Sequence, residues 1–289
     1  MRTIFILILF IFNVSCGNAR QVVQKVKVSP KVETIENAIK KDTVPNEKRE
    51  MVKDSMAMDK EKMAEKELIE VPIEKFDHRA FDTILKTYVE DNGDVDYQGI
   101  RANKLALKAY LDALSTNIPT EEWDKNEVLA YWINAYNAFT IKLIVDNYPV
   151  NSIKDIKDPW GARFFKLGDK WYNLGEIEHK ILRKMEEPRI HFAINCASYS
   201  CPRLRNEAYT AAKLEEQLQA MTMDFVTDTK RNIISADRAQ LSNIFKWYKK
   251  DFTENSSLIA YINKYLESPI PNNTRVTYLK YDWSLNEAK

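Results

Sequence analysis

The sequence predicts a single α+β domain over residues 73–289, in which a central sheet is packed by several helices. Apolar residues recur at helical spacing over residues 105–114, 124–147, 174–185 and 211–227. Residues 189–194 form a nearly unbroken apolar run after Pro188, a pattern typical of a buried central strand. Neither a repeat nor an internal linker interrupts this region, so one domain is expected.

The overall composition excludes few classes of protein. The 289 residues are 45% hydrophobic and 29% charged, and the formal net charge is +1. A charge so close to zero gives no indication of a nucleic-acid partner. Three cysteines, Cys16, Cys196 and Cys201, are too few for a disulfide framework. We expect neither a cofactor nor a resident metal ion.

The first 16 residues have the pattern of an export signal. Arg2 precedes an apolar block at residues 4–12, which is too short to span a bilayer. The small residues before Cys16 resemble the lipobox of bacterial lipoproteins, although Asn13 stands where that motif prefers Leu. We therefore expect a lipid-anchored protein of the cell envelope, either periplasmic or attached to the outer membrane. A simple cleaved signal peptide is the alternative.

Residues 17–72 predict a disordered tether. They contain no aromatic residue and carry 12 basic and 11 acidic side chains, by count along the sequence. Such a segment cannot bury enough apolar surface to offset the entropy lost on folding.

The predicted helix at residues 124–147 carries two amides on its apolar face. Asp124 and Glu127 have the spacing of a capping box at its start. Asn134 and Asn137 lie on the same arc as Ile133 and neighbouring apolar residues, so we expect both to be buried and hydrogen-bonded. Each could brace the helix against neighbouring backbone or orient an active-site group.

The predicted helix at residues 174–185 carries a carboxylate beside an imidazole. Asn173 and Glu176 form another capping pair at its start. Glu178 projects into the apolar stripe and His179 lies at the edge of that stripe. A carboxylate in that position needs a partner, so the pair indicates either chemistry or a packing ion pair.

The remaining elements are shorter. Strand edges are predicted at residues 232–235 and 240–242, an aromatic segment at 245–252, a helix at 257–266 and a last strand at 275–283.

Several long motifs together resemble the family known as domain of unknown function 547. They are YWINAYNAFTIKLIVDNYPVNS at 131–152, LGEIEHKILR at 174–183, PRIHFAINCASYSCP at 188–202, the segment 245–252 and YDWSLN at 281–286. The resemblance covers most of residues 75–289 and implies no established reaction.

Three hypotheses compete for Cys196 and Cys201. In the first, Cys196 is a nucleophile that needs a nearby base. On a strand His191 would lie about 16 Å away, because each of the five residues spans roughly 3.3 Å. His179 is therefore the preferred base, and Glu178, Asn137 or Asp282 could orient it. The order of His before Cys would suit a permuted relative of papain-like enzymes, by analogy only.

In the second hypothesis the two cysteines form a disulfide, which an exported compartment permits. In the third, His191, Cys196 and Cys201 bind zinc, but their even spacing on a strand does not bring three ligands to one ion.

Two functions follow. The first is a thiol-dependent hydrolase or acyltransferase of the cell envelope that acts on amide or ester bonds. The alternative is a non-catalytic envelope module with a structural disulfide, which binds a partner through the aromatic residues Trp160, Phe164, Phe165 and Trp171.

Overall fold

The computed structural model describes residues 74–289, so the expected signal peptide, lipobox and tether lie outside the described residues. The α-helices are α1 (Arg79–Tyr88), α2 (Tyr97–Ala102), α3 (Lys104–Thr116), α4 (Lys125–Asn147), α5 (Leu174–Glu176), α6 (Ile190–Ala193), α7 (Leu214–Thr227), α8 (Asn243–Trp247), α9 (Lys249–Phe252) and α10 (Leu258–Asn263). The strands are β1 (Phe165–Leu167), β2 (Lys170–Tyr172), β3 (Ile233–Ile234), β4 (Arg238–Leu241) and β5 (Arg275–Tyr278).

The α+β class is confirmed, with two small sheets among many helices. β1 and β2 form an antiparallel hairpin. β4 lies between β3, to which it is antiparallel, and β5, to which it is parallel. The last strand is shorter than the sequence predicts, because only Arg275–Tyr278 pairs with β4.

Helix α4 is the central helix of the core. Its predicted capping box is present: Asp124 accepts from the main chain of Glu127, and the Glu127 carboxylate accepts from the main chain of Asp124. The helix is long and apolar enough to cross a membrane by length and composition, but 89% of its apolar window is buried within the fold. Its apolar surface on all sides is therefore explained by neighbouring protein.

The two asparagines of α4 are buried and hydrogen-bonded, as predicted, and of the two roles left open they brace the helix to main chain elsewhere. Asn134 donates to the Tyr209 carbonyl at 2.7 Å and accepts from the Tyr209 N–H at 3.0 Å. Asn137 donates to the Ala193 carbonyl at 3.0 Å and accepts from the Asn195 N–H at 2.8 Å. In each amide both the nitrogen and the oxygen are thus bonded to backbone groups.

The predicted central strand at residues 189–194 is wrong. Ile190–Ala193 forms a single turn of helix, α6, in which all four side chains are buried. A short apolar run that is buried on every side has no periodicity to distinguish strand from helix, so burial was predictable and conformation was not. The consequence is functional, because the extended geometry was the reason for excluding His191 as a partner of Cys196.

The segment from Leu174 to Met185 is helical, as predicted, but its winding changes along its length. α5 leads into a π-helical turn at Ile177–Ile181 and then a 3₁₀ turn at Leu182–Met185. Single π turns are rare and often lie at functional sites. This one carries Glu178 and His179.

Candidate active site around Cys196

The loop that follows α6 is held in place from several sides. The Asn195 side chain accepts from the Ala197 N–H at 2.7 Å and donates to the Pro202 carbonyl at 2.8 Å, which ties the start of the loop to its end. Ala197 has a left-handed backbone with φ of 58°. Such a conformation is unfavourable for a residue with a Cβ and persists where the surroundings enforce it. Asn137 anchors the main chain of Asn195 from helix α4.

The C-terminal segment and one arginine complete this support. The main chain of Tyr199 donates to the Ser284 carbonyl at 2.7 Å, and that of Ser200 donates to the Asp282 carbonyl at 3.2 Å. Arg231 donates to the carbonyls of Tyr199 and Cys201 at 2.6 and 2.8 Å. The loop is therefore pre-organised by contacts distant in sequence.

The two cysteines of this loop are free thiols in close contact. Their sulfurs are 3.1 Å apart, and the Cys196 N–H donates to the Cys201 sulfur at 3.0 Å. Cys196 is partly exposed, whereas Cys201 is only 3% exposed. Cys196 is thus the more exposed residue of the pair.

Two hydroxyl groups also lie near the Cys196 sulfur. The Ser198 hydroxyl is 3.0 Å away and the Tyr281 hydroxyl 3.4 Å away, and the two hydroxyls are 2.9 Å from each other. Burial, followed by the charges of the two cysteines, raises the pKa of Tyr281 well above its usual range, so its proton remains available for donation.

The two thiols differ in acidity. The hydrogen bond from Cys201 is the main cause that lowers the pKa of Cys196, with further lowering from Ser198 and Tyr281 against the cost of burial. Burial, with the adjacent Cys196, raises the pKa of Cys201 well above its ordinary value. When one proton is lost from the pair, Cys196 is the residue that becomes the thiolate.

Cys196 and Cys201 open into a cavity of about 350 Å³. The same cavity is lined by the ionisable residues Glu178, His179 and His191. Its aromatic wall is formed by Tyr136, Trp160, Trp247, Tyr248, Tyr281 and Trp283. A mostly apolar cavity with a few convergent polar groups is the usual form of a small-molecule or catalytic site.

Glu178 is buried in this cavity and its carboxylate is satisfied by two phenols. One oxygen accepts from Tyr136 at 3.3 Å and the other accepts from Tyr248. Burial and the nearby Glu178 charge both raise the pKa of Tyr248, which therefore stays a donor. The sequence requirement that this carboxylate have a partner is met by hydroxyl groups.

His179 is close to Glu178 but points partly to solvent. Half of its side chain is exposed (50%), and its Nδ1 is 3.7 Å from a Glu178 oxygen. The same Nδ1 is 3.4 Å from the Arg183 guanidinium, which can only donate. Among the described residues, neither His179 nor His191 hydrogen-bonds to the Cys196 sulfur, although both line its cavity.

His191 is the site residue that sequence reasoning set aside. Its Nε2 is 2.8 Å from Asp251, and Arg183 donates to both oxygens of that carboxylate at 2.7 and 2.8 Å. The Tyr248 ring stacks on the imidazole with centroids 3.9 Å apart. Because a carboxylate only accepts, the Nε2 of neutral His191 must carry the proton, which leaves the lone pair on Nδ1.

The charge states of this pair follow from their surroundings. Burial lowers the pKa of His191, against the opposing effect of Asp251. Although burial opposes it, hydrogen bonds from Arg183 and His191 hold the pKa of Asp251 below its usual range. The arrangement at neutral pH is therefore a neutral imidazole beside a carboxylate. The sequence signal for Asp251 is its place in the segment 245–252, where it is an acidic residue among aromatic ones.

Two residues named from the sequence as orienters of His179 lie elsewhere. Asn137 has both amide atoms bonded to the main chain of Ala193 and Asn195. Asp282 is exposed, and its carboxylate accepts from the Ser284 N–H at 2.8 Å. Both residues contact the backbone that supports the Cys196 loop, rather than an imidazole.

Metal binding and the aromatic loop receive little support from the arrangement. Within residues 74–289, no three or more His, Cys, Asp or Glu side chains are grouped so that they could hold a metal ion.

Phe165 is buried against Phe139, with stacked rings 3.7 Å apart, and Trp160 lines the cavity. Of the four aromatic residues expected to bind a partner, only Trp171 is exposed, at 53%.

Comparison with known proteins confirms the resemblance over part of the chain. Residues 120–226 match the model of the family described as Protein of unknown function, DUF547. The matched segment contains Glu178, His179, His191, Cys196 and Cys201, whereas Tyr248, Asp251 and Tyr281 lie beyond it. No curated protein and no solved structure matches the chain.

Proposed function

We propose that this domain is a thiol-dependent hydrolase or acyltransferase that acts on amide or ester bonds, with Cys196 as the nucleophile. The observation that carries the proposal is the environment of the Cys196 sulfur. It opens into a largely aromatic cavity and has a thiol and two hydroxyls within 3.0–3.4 Å. Such neighbours stabilise a thiolate, which is the reactive form of cysteine.

The reaction would proceed through an acyl-enzyme. The thiolate attacks the carbonyl carbon, and the bond to the amine or alkoxide breaks after the tetrahedral intermediate. The leaving group takes a proton from an acid in the cavity. Water then releases the acyl group in a hydrolase, and an amine or alcohol releases it in an acyltransferase. The Ser198 and Tyr281 hydroxyls are near enough to the sulfur to donate to the developing oxyanion.

Two imidazoles are candidates for the proton transfers. His179, the base expected from the sequence, lies at the cavity beside Glu178, but its Nδ1 accepts from Arg183. His191 has its Nε2 held by Asp251 at 2.8 Å, the base–orienter arrangement that activated nucleophiles use. We assign the proton transfer to His191 and keep His179 with Glu178 as the competing pair. Asn137 and Asp282 are assigned to positioning the Cys196 loop.

The cellular location belongs to the same proposal. Cys16 would be lipidated after export and would hold the domain in the cell envelope through the segment 17–72. Processing that is blocked by globomycin, and membrane fractionation that is lost in Cys16→Ser, would support the anchor. Unchanged processing and fractionation in that variant would contradict it.

The experiment that tests the activity is trapping of the acyl-enzyme. A chain carrying Cys16→Ser is incubated with activated aryl esters and aminoacyl anilides of graded acyl length, quenched in acid and examined by peptide mass spectrometry. An acyl group on Cys196, together with release of the leaving group, is expected. Cys196→Ser should lose the adduct, and Asp169→Asn, at a fully exposed residue that does not line the cavity, serves as a handling control for expression and purification.

A reduced protein whose Cys196 fails to react with any of these esters or with iodoacetamide at any pH would remove the enzyme proposal. It would leave the second candidate, a binding module. That candidate is favoured by one observation: Trp171 and Leu105, which are 53% and 74% exposed, line a second cavity of about 490 Å³.

A further inference from the structure

The close contact between Cys196 and Cys201 supports an activity that acyl transfer does not use. Their sulfurs are 3.1 Å apart as free thiols, and a disulfide bond needs a separation of about 2.05 Å. A shift of roughly 1 Å would therefore join them. The Asn195 side chain, bonded to both Ala197 and Pro202, already holds the loop in the required closed form.

We propose that the two thiols are an exchangeable dithiol pair that reduces a small disulfide, with Cys196 as the attacking thiol and Cys201 as the resolving thiol. The inference stands on the geometry of the pair and requires no acyl substrate. The expected ligand is a low-molecular-weight disulfide with an apolar or aromatic substituent. Such a molecule suits a cavity of about 350 Å³ that is walled by Trp160, Trp247 and Trp283.

The division of roles follows from exposure. Both cysteines line the cavity where a disulfide would enter, but Cys196 is partly exposed whereas Cys201 is only 3% exposed. The acidities agree with this order, because the pKa of Cys196 is lowered by its hydrogen bonds and that of Cys201 is raised by burial. The attacking thiol should be the one that is both ionised and accessible.

The second step also has a structural basis. Once Cys196 is bound to a substituent, Cys201 must lose its proton and attack the Cys196 sulfur from close range. The Cys196 N–H donates to the Cys201 sulfur at 3.0 Å and would stabilise the thiolate that forms there.

The chemistry balances without a further oxidant. The Cys196 thiolate attacks one sulfur of the disulfide R–S–S–R, which breaks the S–S bond, releases R–S⁻ and leaves a mixed disulfide on Cys196. Cys201 then attacks the Cys196 sulfur, and the second R–S⁻ departs with the proton that Cys201 lost. Two thiols are oxidised to one disulfide, and one R–S–S–R is reduced to two R–SH.

The test uses the reduced full chain with Cys16→Ser, so that Cys196 and Cys201 are its only cysteines, and 5,5′-dithiobis(2-nitrobenzoate) as the aromatic disulfide probe. We expect two equivalents of coloured thiolate per chain and a protein product that is lighter by two hydrogens and carries no adduct. Dithiothreitol should restore both thiols to alkylation.

Single-cysteine variants separate the roles. With Cys201→Ser added, one equivalent should be released and the product should carry one thionitrobenzoate on Cys196. With Cys196→Ser added, release should be slower by about tenfold or more, because only the buried, protonated thiol remains. If either variant fails to fold, the number of thiolate equivalents and the product mass of the parent chain still decide the proposal.

Two results would overturn the proposal. One is a parent chain that stops at a stable mixed disulfide while Cys201 can still be alkylated. The other is two adducts on one chain, which would show that the thiols react independently. Neither result bears on the ester-trapping experiment, so the failure of one proposal is distinguishable from the failure of the other.

Discussion

Asp251 holds the imidazole of His191 through a contact of 2.8 Å, although 60 residues separate the two along the chain. The arrangement places a fixed histidine, with its proton on Nε2, in the cavity that contains Cys196. His179 reaches the same cavity from a more exposed position. Substitutions of the two histidines should therefore affect the reaction of Cys196 differently.

His191→Gln should lower the rate of acyl-adduct formation on Cys196 by roughly 10²–10⁴-fold, the usual contribution of a positioned acid–base group. His179→Gln should lower it by less than about tenfold. The rates are compared by mass spectrometry of samples quenched in acid at successive times, and near-ultraviolet circular dichroism checks that each variant is folded. The opposite ranking of the two variants would restore His179 as the base. Asp251→Asn should also lower the rate, because it removes the carboxylate that holds the Nε2 proton of His191.

The acidity of Cys196 should depend on Cys201. The alkylation of reduced Cys16→Ser protein by iodoacetamide, followed against pH, should titrate below the value of about 8.5 for free cysteine. Cys201→Ala should move the midpoint upward, because it removes the main hydrogen bond that lowers the pKa of Cys196. Ser198→Ala should move it upward by a smaller amount. A midpoint that stays in place in both variants would mean that neither Cys201 nor Ser198 stabilises the Cys196 thiolate.

The two asparagines of helix α4 provide a matched pair of variants. Asn134→Leu and Asn137→Leu should each lower the free energy of unfolding by ~1–3 kcal/mol, because each leaves buried main-chain groups unpaired. Only Asn137→Leu should also slow the alkylation of Cys196, since Asn137 holds the Asn195 main chain while Asn134 holds Tyr209. Urea unfolding and iodoacetamide kinetics measure the two effects. Equal slowing in both variants would show a general loosening of the fold instead.

His78 should make the stability fall in mild acid. Burial lowers its pKa to about 4, and its Nδ1 is 2.8 Å from the Tyr110 hydroxyl. Below pH ~6.5 the unfolded chain binds a proton that the folded protein does not, so stability is present above that pH and is lost as the pH falls towards the folded value. Between pH 7 and 4.5 the loss should be about 2–3 kcal/mol.

His78→Gln removes this titration and keeps a side chain that can bond to Tyr110. The difference in unfolding free energy between pH 7 and 4.5 should therefore be smaller in the variant by about 2–3 kcal/mol. His191, whose pKa is also lowered, contributes to the remaining slope with the same sign. An identical pH dependence in the two proteins would mean that the pKa of His78 is the same in the folded protein and in the unfolded chain.

The sequence by itself determined the features that depend on near neighbours. The start of helix α4 was predictable because Asp124 and Glu127 bond to each other's main chain within one turn. The burial of Asn134, Asn137 and Glu178 was predictable because helical spacing places them among apolar residues. The same local pattern placed Cys196 and Cys201 on one short loop after a buried segment.

Tertiary structure decided the conformation of that buried segment and the partners of the thiol. Residues 190–193 are surrounded by protein on every side, so their apolar pattern is compatible with either a strand or a helix. Tyr281 comes to the Cys196 sulfur from 85 residues away, and Asp251 comes to His191 from 60 residues away. Contacts of that range depend on how whole elements pack and leave no periodic signal in the chain, which is why the sequence favoured His179 and overlooked the His191–Asp251 pair.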